Sequence, residues 1–94
     1  VCSNNSLIAR ELCIQNRLGL HARAAARLVE LARQFHSEMA VEKDGQSVDA
    51  KSVVALLSLE CPIGTKVVVK AWGDDADQAV AAVTVLIENR FGEE

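Results

Sequence analysis

MAVEKDGQSVDA, residues 39 to 50, carries the dipeptide Asp44-Gly45 between two short stretches of strand character. Asp-Gly is among the strongest short-range hairpin signals, because both residues tolerate the positive φ of a two-residue turn whose twist matches its flanking strands. On the way in, Met39 and Val41 alternate with Glu38, Ala40 and Glu42; on the way out, Gln46 to Ala50 returns as a strand. A hairpin at this point sets antiparallel pairing in the middle of the chain.

Upstream, Leu7 to Ile14 reads as a first strand, with Arg10 interrupting its alternation, and Asn16-Arg17-Leu18-Gly19 turns the chain. From Ala22 to about Phe35, Ala25, Leu28, Ala32 and Phe35 follow helical spacing, while Arg23, Arg27, Glu30 and Gln34 mark the opposite face. Downstream, Ser52 precedes an apolar stretch, Val53 to Leu59, that predicts a helix of about two turns stopped near Pro62. Lys66 to Trp72 is the clearest strand, with Trp72 expected in packing at its end. Gly73-Asp74-Asp75 breaks it and offers acidic N-caps for a last helix, about Ala76 to Arg90, with Gly92 just past its end. The order β-α-β-β-α-β-α, with a hairpin and crossover helices, favours an α+β two-layer sandwich: one antiparallel sheet with every helix on one face.

The chain has 94 residues, 50% hydrophobic and 24% charged, enough for one compact domain and too few for two. So small a domain has little room for an enclosed active site, and a surface site is expected. A net charge of −3 without a basic run argues against nucleic acid as a partner. No apolar run is long enough to span a membrane, and the initial VCSNNS lacks the features of a signal peptide. Cys2, Cys13 and Cys61 are odd in number and show no metal-binding spacing, which suits free thiols in a reducing cytoplasm.

His21 falls where the first long helix begins, in GLHARAAARLVELA, residues 19 to 32. The opening turn of a helix presents unpaired N–H groups at the positive end of its macrodipole, which makes it an anion site. Arg23 adds a guanidinium fork that matches phosphate oxygens, and Arg17 and Arg27 extend the basic patch. A nucleophilic nitrogen, free amides and an arginine are the parts that a transferable phosphoryl group requires. Taken alone, a histidine at a helix start is more often a cap or a solvated side chain than a nucleophile. His36, at the other end of the helix, lacks these surroundings and reads as structural. With no Walker loop and no acidic metal cluster, the expectation is a protein that binds no nucleotide, metal or cofactor and relays phosphate between partners.

Leu18-Gly19-Leu20-His21-Ala22-Arg23, followed by Ala25 and Leu28-Val29, resembles the active-site signature of the HPr family of histidine-containing phosphocarriers. That family serves the bacterial phosphoenolpyruvate-dependent sugar phosphotransferase system. Val48-Asp49-Ala50-Lys51-Ser52-Val53-Val54, followed by Leu57-Ser58-Leu59, is similar to the family's regulatory serine segment, and Gly64-Thr65, Gly73 and Phe91-Gly92-Glu93 also fit. The resemblance runs from about Arg10 through nearly the whole chain. It implies an open-faced β-sandwich, a four-stranded antiparallel sheet with three helices on one face, formed by residues 1–94 as one domain. It also implies a cytoplasmic monomer in which His21 takes phosphate at Nδ1 from phosphorylated enzyme I and passes it to a IIA domain of a sugar permease. Arg23 matches the arginine that steadies the phosphate, and Ser52 the serine that HPr kinase/phosphorylase modifies in many bacteria.

The family pattern has proline after the signature arginine, and this chain has Ala24. Alanine keeps the helix but leaves its first turn less preorganised. Val53 to Leu57 is apolar almost all round, and a short helix on a sheet cannot bury every side of itself. Val54 and Leu57, with part of Val53, are therefore expected to form an exposed docking patch beside His21, ringed by Arg17, Arg23 and Arg27. Two alternatives stand beside the sugar-system carrier. One is a nitrogen-related paralogue; the other is a regulatory docking module of the same fold that transfers nothing. An independent hydrolase ranks below them, because no base partner for His21 is visible in the sequence.

Overall fold

In a computed structural model describing residues 7–93, the chain reverses at Asp44-Gly45, whose φ values are 52° and 83°. The turn joins β2 (Glu38–Lys43) to β3 (Gln46–Asp49) antiparallel, with Val41 opposite Val48 and Lys43 opposite Gln46. Cys2 and the VCSNNS stretch lie outside the described residues.

β1 (Leu7–Cys13) and β4 (Lys66–Trp72) complete a four-stranded antiparallel sheet in the order β1-β4-β2-β3. β4 occupies the bounds its sequence predicts, and its alternation is clean: Val67, Val69 and Ala71 are buried, while the residues between them turn to the open face. Arg10, opposite Val69, lies on an edge strand and is exposed, so the break in alternation is tolerated. Trp72, opposite Leu7 and Glu38, is less packed than expected and remains 38% exposed.

Three helices, α1 (Ala22–Ala32), α2 (Val53–Ser58) and α3 (Ala76–Glu88), cover the other face. Their apolar stripes meet β4 in one core, with Leu28, Leu56, Val69 and Val83 all essentially inaccessible. None of the described helices is long and apolar enough to cross a membrane.

α1 stops at Ala32, short of the Phe35 that the spacing predicts. Gln34 and Phe35 donate to carbonyls of Leu31 and Ala32 in a tightened final turn. The next two amides, His36 and Ser37, donate to the Asp75 carboxylate at 2.9 Å each, and the Ser37 hydroxyl donates to it as well. Asp75 does occupy the N-cap position of α3, but its side chain makes no cap bond and instead ties the start of α3 to the end of α1. The Ser37 hydroxyl, then the His36 amide, hold its carboxyl down at about 2. Gly73 serves the same corner, since a Cβ there would stand 2.9 Å from Ser37 Cα.

Two lysines secure helix ends from outside. Lys43 donates to the carbonyls of Leu59 and Glu60 after α2, and Lys51 to those of Phe35 and Ser37 after α1. Cys13 and Cys61 are free thiols, and burial pushes the Cys61 thiol up. α3 ends at Glu88 rather than Arg90. A 3-10 turn, Arg90–Gly92, follows with φ of 57°, 55° and 76°, and it drives Phe91 completely into the core.

Candidate functional site

The loop before α1 is fixed before any site residue is reached. Asn16, fully buried, donates from Nδ2 to the Gly19 carbonyl at 2.6 Å, and Leu20 donates its amide to the Cys61 carbonyl at 2.8 Å. Gly19 adopts φ of +70°, and a Cβ there would stand 2.4 Å from the Cys61 carbonyl oxygen. Only glycine lets the chain cross so close to residue 61.

His21 emerges from this crossing as the N-cap of α1, with extended backbone. Its carbonyl accepts from Ala25, and its ring Nδ1 accepts from the Arg23 amide at 3.2 Å. The cap expectation is met. Nδ1 points at the same free amides that an anion would use.

The other ring nitrogen has a partner that the sequence does not reveal. Nε2 lies 2.7 Å from Oε2 of Glu93, 72 residues away, and Oε1 of the same carboxylate accepts from Asn16 Nδ2 at 3.0 Å. The donors and acceptors assign the proton: Nε2–H faces a carboxylate, and Nδ1, facing an N–H, keeps its lone pair. Partial burial pushes the Glu93 carboxyl up, but the hydrogen bonds from Asn16 and His21 and the nearby charge of Arg27 outweigh it and hold the group below its ordinary value. Only residues 90 to 92, in left-handed conformations, bring Glu93 back to the site, and no periodicity announces them.

Arg17 and Arg23, both exposed, line an open cavity of about 500 Å³ together with Leu18 and Glu93. Arg27, also exposed, donates from its guanidinium to the Phe91 carbonyl and so clamps the terminal turn onto α1. It still lines a neighbouring depression with Arg23 and Val53. Val54 is 79% exposed and Leu57 37%, with Val53 half-buried, which is the expected pattern. Leu18 and Ile63, exposed at 71% and 55%, add apolar surface that the sequence reading did not include. His36 is exposed and bonds here through its backbone.

Ser52 caps α2, its hydroxyl accepting from the Ala55 amide at 3.2 Å, and no acidic residue occupies the first turn. Ala24 is wholly buried in the first turn of α1, where amides lack intrahelical acceptors. Ala24→Pro is therefore expected to raise stability by about 0.4–1 kcal/mol through the unfolded chain. Urea denaturation checks this, and a lowered midpoint would mean that the ring does not fit or that the amide has a partner.

Residues 8–89 match the family model described as the PTS HPr component phosphorylation site. The chain is 42% identical to the phosphocarrier protein HPr of Cupriavidus necator, over 93% of this chain and 98% of that one. It is 40% identical to the phosphocarrier protein NPr of Escherichia coli, over 86% and 91%. Among solved structures, the HPr-C-His of Thermoanaerobacter tengcongensis superposes with a TM-score of 0.89 at 44% identity, covering 93% of this chain and 98% of that one.

Proposed function

Since the chain belongs to the HPr family of phosphotransferase-system phosphocarriers, we propose that His21 Nδ1 takes a phosphoryl group from phosphorylated enzyme I and delivers it to a IIA domain of a sugar permease. The observation that carries this reading is the orientation of the ring, with the Nδ1 lone pair directed to the opening of α1 and Nε2 tied to Glu93.

The protein is a carrier and not a catalytic enzyme, so its site must hold a phosphoryl group without hydrolysing it. As Nδ1 bonds to phosphorus, the Arg23 amide is released from the ring to a phosphoryl oxygen, and the other amides of the first turn lie within the same field. The exposed Arg23 guanidinium, beside this point, supplies further charge as the group arrives and leaves. Val54 and Leu57 with part of Val53, together with Arg17, Arg23 and Arg27, form the docking surface for acidic partners; Arg23 and Arg27 line one depression with Val53, and Arg27 also holds the terminal turn in place. The proposed carrier is a monomer, and the free thiols of Cys13 and Cys61 suit a reducing cytoplasm.

The test is intact-protein mass spectrometry after incubation with enzyme I and phosphoenolpyruvate. A gain of one phosphoryl group, labile to acid and stable to alkali, is expected; an unchanged mass overturns the reading. The 40% identity to an NPr favours one second reading, a nitrogen-related carrier with a different IIA acceptor. Offering the phosphorylated chain to both kinds of IIA domain separates the two.

Ser52 is the proposed regulatory position, with an HPr kinase/phosphorylase as its modifying partner. A negative charge at the positive end of α2, whose first turn holds no acidic residue, stabilises the helix, yet stands beside the surface that acidic partners must approach. Ser52→Asp is expected to add about 0.3–1 kcal/mol of stability while slowing transfer from enzyme I. A lowered thermal midpoint or an unchanged rate would leave Ser52 as a cap alone.

A further inference from the structure

We propose that Glu93, locked by Asn16, is a positioning residue that holds His21 as the Nε2–H tautomer and balances the positive charge the ring gains on phosphorylation. The proposal rests on His21 as the acceptor and adds what makes one of its nitrogens the acceptor.

In a neutral imidazole, one nitrogen holds the proton and the other the lone pair, and the two forms lie close in energy in water. A carboxylate fixed at Nε2 removes the choice, since it accepts a hydrogen bond and cannot donate one. Glu93 is fixed from several directions. Its second oxygen accepts from Asn16 at 3.0 Å, and Asn16 is itself fully buried and bonded to Gly19. Phe91 is inaccessible, and the guanidinium of Arg27 donates to its carbonyl. The non-glycine residues Arg90 and Phe91 both take left-handed φ to make the turn. Such conformations persist where surrounding contacts over-determine them, and here they deliver one carboxylate to one imidazole.

In the transfer, the Nδ1 lone pair forms the new N–P bond. The donor's N–P bond breaks, and its electron pair returns to the donor nitrogen. The Nε2 proton stays where it is. His21 then carries a positive ring beside a negative phosphoryl group, and the Glu93 carboxylate faces that ring at hydrogen-bond distance. The imidazole needs no further proton acceptor.

The test compares the wild-type chain with Glu93→Ala and Glu93→Gln. Long-range nitrogen–proton spectra of the imidazole should show mainly the Nε2–H tautomer in the wild type, and a mixture in Glu93→Ala. Transfer from phosphorylated enzyme I should fall roughly tenfold or more in Glu93→Ala, the scale of losing the partner that orients a functional imidazole. Glu93→Gln keeps an acceptor oxygen without the charge, so it should retain the tautomer and recover only part of the rate. A Glu93→Ala spectrum identical to wild type overturns the proposal, and so does an unchanged rate. The spectra need no phosphoryl donor, so a wild-type chain that accepts no phosphate would sink the acceptor reading while the tautomer is still decided.

Discussion

His21→Ala is expected to fold and to accept no phosphoryl group from enzyme I. In the proposed role the imidazole is the nucleophile, and the neighbouring amides and arginines supply charge without being able to form the bond. The structural cost is modest by comparison. His21 is the N-cap of α1, and losing a cap costs about 0.5–2 kcal/mol against a typical total of about 5–15 kcal/mol. Asn16 and Glu93 keep their mutual hydrogen bond after the ring is gone. Intact mass after incubation with enzyme I and phosphoenolpyruvate checks the chemistry, and a thermal melt on the same sample checks the fold. If the folded variant still gained a phosphoryl group, His21 would be a cap and the acceptor would lie elsewhere.

Phe91→Ala is expected to be the most damaging change to stability outside the loop crossing, at about 3–5 kcal/mol. Phe91 is wholly inaccessible and among the largest side chains so placed. Alanine leaves its cavity behind while keeping the unfavourable left-handed backbone, for which the lost packing had compensated. The urea midpoint should fall with little change in slope. Function should decline in the same variant for a separate reason. Without its anchor the terminal turn no longer delivers Glu93, and the transfer rate of the surviving folded fraction should approach that of Glu93→Ala. A loss of less than about 1 kcal/mol would show that the turn is held by its backbone contacts alone, since deletions of this size in a closed core normally cost several times more.

Local chemistry wrote much of this fold into the sequence. Asp44-Gly45 has one comfortable conformation between strands, and the run from Lys66 to Trp72 can alternate in only one way. Phe35 misleads, because periodicity extends through it while the backbone has already tightened and Asp75 claims the next amides. Asp75 misleads likewise: a carboxylate at a helix start usually caps it, yet this one finds two amides and a hydroxyl on another element. His21 is legible at the site, because a helix start advertises itself locally. Glu93 is not, since its meaning depends on a partner at the other end of the chain. The exposure of Val54 and Leu57 follows from a helix with too many apolar sides, whereas that of Leu18 and Ile63 follows from loop paths that no spacing encodes.

β4 lies between β1 and β2, and this placement governs the order in which the molecule can assemble. Within the sheet β1 pairs with β4 alone, so the first of the described strands must wait for the last of them. The β2–β3 hairpin can close within microseconds of its synthesis, but it shows an unsatisfied edge until residues 66–72 arrive. Folding is thereby governed by contacts between distant parts of the chain, which are slow to find each other and cooperative once found. His21 inherits that timing. Its carboxylate partner is delivered by the turn after α3, so a nascent or truncated chain displays the imidazole before it can use it well. On the proposed roles of His21 and Glu93, competence to carry phosphate is coupled to completion of the fold.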